Sequence, residues 1–374
     1  MSLFQKNDPS MNNDLPTPAL DALGWDARWA ELFEPFSGRG WTPARVICEH
    51  RGAYDLADEA GEHRAGVSGR FRHDHPARGD WPAVGDWVAA APRPDGEAAT
   101  IHAVLPRRSR FSRSAAGDRL EEQVAAANVD VTFLVSGLDG DFNLRRIERY
   151  LAVAWDGGAR PVVLLNKADL CPGVADRVAG AESVAFGAPV LPVSAATGAG
   201  LDALRALLPH GVTGAFLGSS GVGKSSLVNA LLGGARQATR AVRTADSRGR
   251  HTTTSRELIP LPCGGMIIDT PGMRELRLWS DVDGLETVFA DVETLAAQCR
   301  FADCTHEDEP GCAVRDALGN GTLSQERLRA HQKLRREVEY QELRQEHSAR
   351  YIERKRWKGI AKEIRRIEHG KENW

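Results

Sequence analysis

Residues 218–225 read Gly-Ser-Ser-Gly-Val-Gly-Lys-Ser, the complete GxxxxGK[ST] spacing. An apolar run over 213–217 precedes it and a helical pattern over 225–232 follows, the setting in which this spacing cradles phosphate. Glycines let backbone N–H groups curl around phosphate oxygens, and the helix N-terminus presents its partial positive charge. The cradle is expected to run through Gly218, Ser219, Ser220, Gly221, Val222 and Gly223 to Ser226. Lys224 would neutralise the β- and γ-phosphates, and Ser225 would offer its hydroxyl to Mg²⁺. Asp269-Thr-Pro-Gly272 closes a short apolar run, 45 residues beyond Lys224. Its aspartate suits the Mg²⁺ shell and its glycine N–H the γ-phosphate.

Asn166-Lys167-Ala168-Asp169 ends another apolar run, 161–165. Guanine displays a ring N–H beside an exocyclic amine, and one carboxylate, Asp169, can accept from both. Adenine offers no such pair. Lys167 can lie over the base plane, Asn166 can tie the loop together, and Ser194-Ala195 can give a backbone N–H to the guanine oxygen. GTP is therefore expected over ATP. In His251-Thr-Thr-Thr254, a mobile threonine can complete the Mg²⁺ shell, with Thr253 first and Thr252 the alternative.

The order of these motifs is itself information. Ordinary GTPases begin with the P-loop and reach NKxD late. Here NKxD (166) and SA (194) precede the P-loop (218), and TTT (252) and DTPG (269) follow. The order predicts a circularly permuted GTPase domain. Position 273 is Met, where many GTPases place a glutamine to orient water, so slow intrinsic hydrolysis is expected. His251 is a candidate for that role, and equally a loop-packing histidine.

Cys299, Cys304, His306 and Cys312 supply three thiolates and an imidazole in one polar segment. Such a set closes a tetrahedral Zn²⁺ site, structural rather than catalytic. Cys48, Cys171 and Cys263 are isolated.

The elements that must hold these residues fall into distinct textures. Residues 1–40 are rich in Pro, Asn, Asp and Gly and are expected to be poorly ordered, apart from an amphipathic turn over 25–33. Residues 41–112 carry short strands, over 44–49, 64–72, 86–91 and 99–105, which predict a small barrel or sandwich. The stretch Arg107, Arg108, Arg110, Arg113 marks a linker or surface patch. Over 113–278 strands and helices alternate, the pattern of a doubly wound α/β domain with a largely parallel sheet. Residues 279–323 are helical around the Cys/His cluster, and 324–374 form a charged helical tail.

The 374 residues carry a net charge of −3, at 42% apolar and 26% charged, which is ordinary for a globular chain. The tail from 324 holds 15 Lys/Arg against 9 Asp/Glu, a net +6 that leaves −9 for the rest. A basic end on an acidic protein suggests an anionic partner, RNA first, although a solvated or packed helix reads the same. No run is long enough to span a membrane, and the first 30 residues hold no apolar signal core, so a cytoplasmic protein is expected.

Taken together, the permuted order, the Gly249–Thr254 run, DTPG with an apolar successor and the Cys/Cys/His/Cys spacing resemble the ribosome small subunit-dependent GTPase A (RsgA) family of circularly permuted GTPases. The resemblance spans about residues 41–320. It implies an N-terminal OB-fold, a permuted GTPase domain and a C-terminal helical zinc domain. It also implies a cytoplasmic monomer that binds the small ribosomal subunit and its rRNA late in maturation, with GTP hydrolysis stimulated by that subunit. Arg70, Phe71, Arg72, Arg107, Arg108 and Phe111 are candidates for an RNA face of the barrel, and read equally as solvated arginines and core aromatics. Two other readings remain open: a GTP-switched RNA-binding assembly factor whose hydrolysis is incidental, and a GTPase that delivers metal.

Overall fold

Alternation along short strands decides the first unit. The computed structural model describes residues 20–50, 52–92, 98–114, 122–185, 187–234, 256–269, 282–340 and 343. Helix α1 (Ala27–Ser37) leads into β1 (Thr42–His50), β2 (Ala53–Asp58), β3 (Gly61–Val67), α2 (Gly69–Asp74), β4 (Trp87–Ala91) and β5 (Ala99–Val104). The strands pair in the order β1-β2-β3-β5-β4, and β4 pairs back onto β1, which closes a five-stranded barrel. Strands β3 and β5 run parallel, and the crossover between them carries α2. Period-two positions such as Ala44 and Val46, Tyr54 and Leu56, and Val88 and Ala90 fill the interior with Phe71 and Ile101.

A hairpin, β6 (Arg110–Ser114) with β7 (Glu122–Ala127), joins the barrel to the second unit. That unit comprises β8 (Val131–Gly137), α3 (Leu144–Asp156), β9 (Arg160–Asn166), α4 (Val174–Ala185), β10 (Val190–Pro192), α5 (Leu201–Ala206), β11 (Thr213–Gly218), α6 (Lys224–Leu232), β12 (Arg256–Pro260) and β13 (Met266–Asp269). Strands β10-β9-β8-β11-β13 are all parallel, and β12 is antiparallel to β13. Helices cover both faces. Leu134, Val163, Leu165 and Leu217 pack with Ile147 and Leu151 of α3 and Ala181 of α4. Phe133, Val135, Leu164 and Phe216 pack with Leu204 of α5 and Leu227 and Leu231 of α6. Burial on both faces explains why these strands are continuous apolar runs.

The barrel and this sheet are continuous, because β1 pairs with β12 (Cys48 opposite Glu257). Arg45 locks the junction. Its guanidinium, 2% exposed, donates to Thr213 Oγ1 at 2.8 Å, to the Asn128 and Gly85 carbonyls at 3.3 Å each, and to the Leu23 carbonyl. Burial pushes its pKa down to about 10, so the cation persists at neutral pH.

Helices α7 (Val282–Val288), α8 (Ala290–Ala296) and α9 (Ala313–Gly319) precede a helix over 325–340, whose start Ser324 caps by accepting the Arg327 N–H at 3.1 Å. Leu328, Leu334 and Val338 are buried in the same core as Ile147 and Leu151 of α3. Arg327 donates to Glu148 Oε1 (2.6 Å) on α3 and to Asp291 Oδ1 (3.0 Å) on α8, and lies 4.2 Å over the Phe289 ring.

Several expectations need correction. The poorly ordered stretch expected over 1–40 does not extend across 20–40. Asp26 caps α1, and Trp29 and Phe33, one turn apart, bury against Trp25 and Trp87. Residues 1–19 lie outside the described residues. The expected strand over 64–72 ends at Val67, because the Ser68 hydroxyl accepts the Phe71 N–H (3.0 Å) and starts α2. Strand β2, absent from the expectation, buries Tyr54, Leu56, Ala57 and Asp58 and leaves Ala53 and Asp55 half-buried. Of the arginine stretch after 106, which lies in the connection between the two units, Arg107 and Arg108 are paired. Arg107 forms a two-pronged pair with Asp86 (2.9 and 2.8 Å), and Arg108 pairs with Asp26 over the Trp29 ring. Phe71 and Phe111 are core residues at 3% and 2% exposure, so of the barrel's RNA candidates Arg70 and Arg72 remain exposed. The charged tail does not begin as a free element, since 325–340 packs on α3 and α8; residues 341–342 and 344–374 lie outside the described residues.

Candidate functional site

The nucleotide motifs converge at the carboxyl ends of the parallel strands, where open α/β sheets gather their ligands. Gly218 ends β11, Asn166 ends β9, Ser194 follows β10 and Asp269 ends β13. Asn166 is the centre of this edge. It is 1% exposed, donates from Nδ2 to the Val222 carbonyl (2.8 Å) and accepts the Ala195 N–H on Oδ1 (3.2 Å). One side chain thus joins NKxD, SA and the P-loop. Gly223 makes the approach possible: its φ is +98°, and a Cβ there would lie 2.2 Å from Asn166 Nδ2.

The P-loop leads into α6, whose first N–H groups have no intrahelical acceptor and face the loop. Lys224 Nζ donates to the Gly218 and Ser219 carbonyls at 2.6 and 2.7 Å, across the loop's mouth. Ser225 and Gly221 are exposed, and Ser219, Ser220, Gly223 and Ser226 are half-buried or exposed, while Val222 points into the core. Exposure suits a ligand cradle and burial anchors it. Asp269 is half-buried beside β11, one residue beyond the Ala215–Ile268 pair.

In the NKxD loop, Lys167 holds a left-handed backbone conformation at φ 64°. Its ammonium crosses to the Gly221 carbonyl (2.9 Å) and pairs with Asp139. Ala168 N–H donates to the Val193 carbonyl (3.1 Å), and exposed Asp169 accepts the Ser194 hydroxyl at 2.5 Å. The structure therefore brings together Asn166, Lys167, Ala168, Asp169, Ser194, Ala195 and the P-loop. Thr252, Thr253, His251, Gly272 and Met273 lie outside the described residues. Sequence reasoning missed Asp139 and Asp141, which contact Lys167 and Ser219 from the loop after β8. Their signal was available: two aspartates at the end of a buried parallel strand.

Cys299, Cys304, His306 and Cys312 place their ligand atoms within 4.8 Å of one another. Cys299 Sγ lies 3.8 Å from Cys312 Sγ, and His306 Nδ1 lies 3.6 and 3.4 Å from those two sulfurs. A tetrahedral Zn²⁺ with bonds of about 2.3 Å to sulfur and about 2.05 Å to nitrogen has S–S edges of about 3.8 Å and S–N edges of about 3.6 Å. The donor set therefore fits zinc. Desolvation, then hydrogen bonding to the Cys312 and Cys299 sulfurs, pushes the Cys304 thiol up to about 11, a field that a cation would reverse. Glu309 organises the loop. It accepts from the Thr305 hydroxyl (2.5 Å), the Thr305 N–H (2.8 Å) and the Glu307 N–H (3.0 Å), and these bonds pull its carboxyl down to about 2. A second grouping, Cys48, His50 and Asp55, is a hydrogen-bonded cluster: Asp55 is shared between His50 Nε2 (2.6 Å) and Arg64 (2.7 Å).

Residues 104–279 match the family model of the RsgA GTPase. The chain is 50% identical over 364 residues, 95% of this chain and 99% of the other, to a small ribosomal subunit biogenesis GTPase RsgA of Opitutus terrae. It is 44% identical over 361 residues, 94% and 99% of the two chains, to a protein of the same name from Syntrophotalea carbinolica. Among solved structures, YjeQ from Thermotoga maritima superposes with a TM-score of 0.60 at 28% identity, over 80% of this chain and 98% of that one. YloQ, a circularly permuted GTPase, superposes at 0.57 and 23% identity, over 80% and 96%, and supports the permuted fold.

Proposed function

The chain belongs to the RsgA GTPase family, and from that premise we propose that it binds the small ribosomal subunit, assists its late maturation and hydrolyses GTP to GDP and phosphate with turnover raised by the subunit. The observation that carries this reading is the Asn166 hub, which draws the guanine loop, the Ser194-Ala195 loop and the P-loop onto one edge. Asp169 is assigned to the two guanine donors and Lys167 to the base plane. Lys224 and the N–H groups of residues 218–226 take the phosphates, and Ser225 and Asp269 hold Mg²⁺. Thr253 is assigned to the Mg²⁺ shell, Gly272 to the γ-phosphate and His251 to the attacking water. Mg²⁺ would supply neutralisation of charge on the phosphate oxygens. The protein's own share is to orient the triphosphate and hold donors where charge develops.

Cys299, Cys304, His306 and Cys312 would hold one structural Zn²⁺, supported by ligand-atom separations that match a closed tetrahedron. Metal delivery is not favoured, because such a set leaves no open position. On this reading the chain divides into a barrel of OB type over 41–112, a permuted GTPase unit over 113–278 and a zinc-bearing helical domain from 279 that includes the helix 325–340. Contact with rRNA would fall to the exposed arginines and to the basic residues after 340. The protein would act in the cytoplasm as a monomer; among the described residues no helix is long and apolar enough to cross a membrane. Cosedimentation with purified small subunits tests the partner. Binding with a non-hydrolysable GTP analogue should exceed binding with GDP, and equal, background-level recovery in both would refute the proposal.

A further inference from the structure

The loop over 138–143 enters the nucleotide site from a side that no motif marks. Its first N–H, on Leu138, donates to the Asn166 carbonyl at 2.9 Å, so the loop is zipped to the start of the guanine loop. The chain then folds back sharply: a Cβ on Gly137 would lie 2.6 Å from Asp139 Oδ1. Asp139 pairs with Lys167, whose ammonium also reaches the Gly221 carbonyl (2.9 Å). Two residues on, Asp141 Oδ2 accepts the hydroxyl of Ser219 at 2.6 Å. Asp141 is fixed in turn by Arg146, which bonds Oδ1 at 2.9 Å and the Asp141 carbonyl at 2.8 Å. Arg146 stands in the first turn of α3, where Asn143 accepts its N–H (3.2 Å).

Two carboxylates beside a polyphosphate site are electrostatically unfavourable unless they hold something in place. Here each is engaged by a donor from a nucleotide motif, Asp139 by the lysine of NKxD and Asp141 by a P-loop serine. We propose that Asp139 and Asp141 are positioning residues for GTP, the first holding Lys167 over the base and the second holding the first turn of the P-loop through Ser219. This rests on the GTP-binding reading above. Preorganisation of this kind lowers the ordering cost of binding and acts alike on ground state and transition state. Its loss should therefore raise Kd and KM together and spare kcat.

Titration of a fluorescent GTP analogue, with steady-state turnover alongside, tests this on wild type, Asp139→Asn, Asp139→Glu, Asp141→Asn, Ser219→Ala and the Asp141→Asn/Ser219→Ala double variant. The Lys167 pair is partly exposed, so Asp139→Asn should raise Kd by about 3-fold. The Ser219 bond is charge-assisted, so Asp141→Asn should raise it by about 10-fold. KM should follow, with kcat held within about twofold. Asp139→Glu keeps the charge and should recover most of the affinity. The double variant should bind about as Asp141→Asn does, because one bond is lost once. Inosine triphosphate should weaken by the same factor as GTP in Asp139→Asn, since Lys167 serves the ring plane and not the exocyclic amine. Kd within about 1.5-fold of wild type in both Asn variants, fully additive losses in the double variant, or a fall in kcat at constant KM would overturn the proposal. Failure of the wild-type protein to bind GTP would instead overturn the reading on which it rests.

Discussion

Replacing Gly223 with alanine should damage nucleotide binding through two separable causes. The first is conformational. At φ +98° an L-residue is strained by about 1–2 kcal/mol. The second is steric. The new Cβ would lie 2.2 Å from Asn166 Nδ2, and Asn166 is buried with both amide atoms bonded, to Val222 and Ala195. Displacing it leaves buried polar groups unpaired, at about 1–3 kcal/mol. The sum, about 2–5 kcal/mol, corresponds to a weakening of GTP binding by about 30- to 5000-fold if the site absorbs it. Titration with a fluorescent GTP analogue reads that factor. In an Asn166→Ala background the obstruction is gone, so Gly223→Ala should then cost only the strain, about 5- to 30-fold. Equal factors in the two backgrounds, or a loss under about threefold in the wild-type background, would refute the argument from close approach.

Arg327→Ala should lower the stability of the C-terminal helices by about 3 kcal/mol, because Glu148 at 1% exposure then keeps, among the described residues, Arg145 as its remaining ion-pair partner. Urea denaturation measures it, and a change below about 0.5 kcal/mol would mean the contact is solvated in solution. His331 gives a pH signature. Burial, against the Glu293 carboxylate and with Arg335 and His306 adding to the effect, holds its pKa below the usual histidine value. The folded state then binds this proton less readily than the unfolded chain, so stability is full above about pH 6.5 and falls as the pH drops below it. The acid limb of a thermal-melt series should flatten in His331→Gln, and an unchanged limb would contradict the assignment. Elemental analysis should find one zinc equivalent in the wild type and none in Cys304→Ser, while GTP binding persists, since a structural metal stabilises its own module.

What the sequence disclosed depended on whether chemistry fixes spacing. The P-loop, NKxD and the Cys/His set are legible because phosphate, guanine and a tetrahedral ion each demand given residue types at given separations. The permuted order followed from reading them in sequence. The parallel strands were legible because burial on both faces leaves apolar runs. Helix α1 was legible only as an amphipathic turn over 25–33, although Asp26 followed by Trp29 and Phe33 is a cap and a stripe that runs on to Ser37. Ser68 turned an expected strand into a helix start through one side-chain bond. The continuity of β1 with β12, and the burial of Arg45 between units, depend on pairings distant in sequence and have no local pattern. Asp139 and Asp141 went unread because their role is defined by partners on two other loops. The pairing of Arg107 and Arg108 went unread for the same reason, with Asp86 and Asp26 supplying the compensating charge.

The central claim is that this edge of the sheet turns over GTP in response to the small subunit. Phosphate release should be followed at saturating GTP for wild type and Lys224→Ala, with and without purified small ribosomal subunits. The account predicts slow release by the wild type alone, at least about tenfold faster release with subunits, and background rates for Lys224→Ala in both conditions. Wild-type turnover that is unchanged by subunits, or a Lys224→Ala variant that hydrolyses GTP as fast as the wild type, would contradict it.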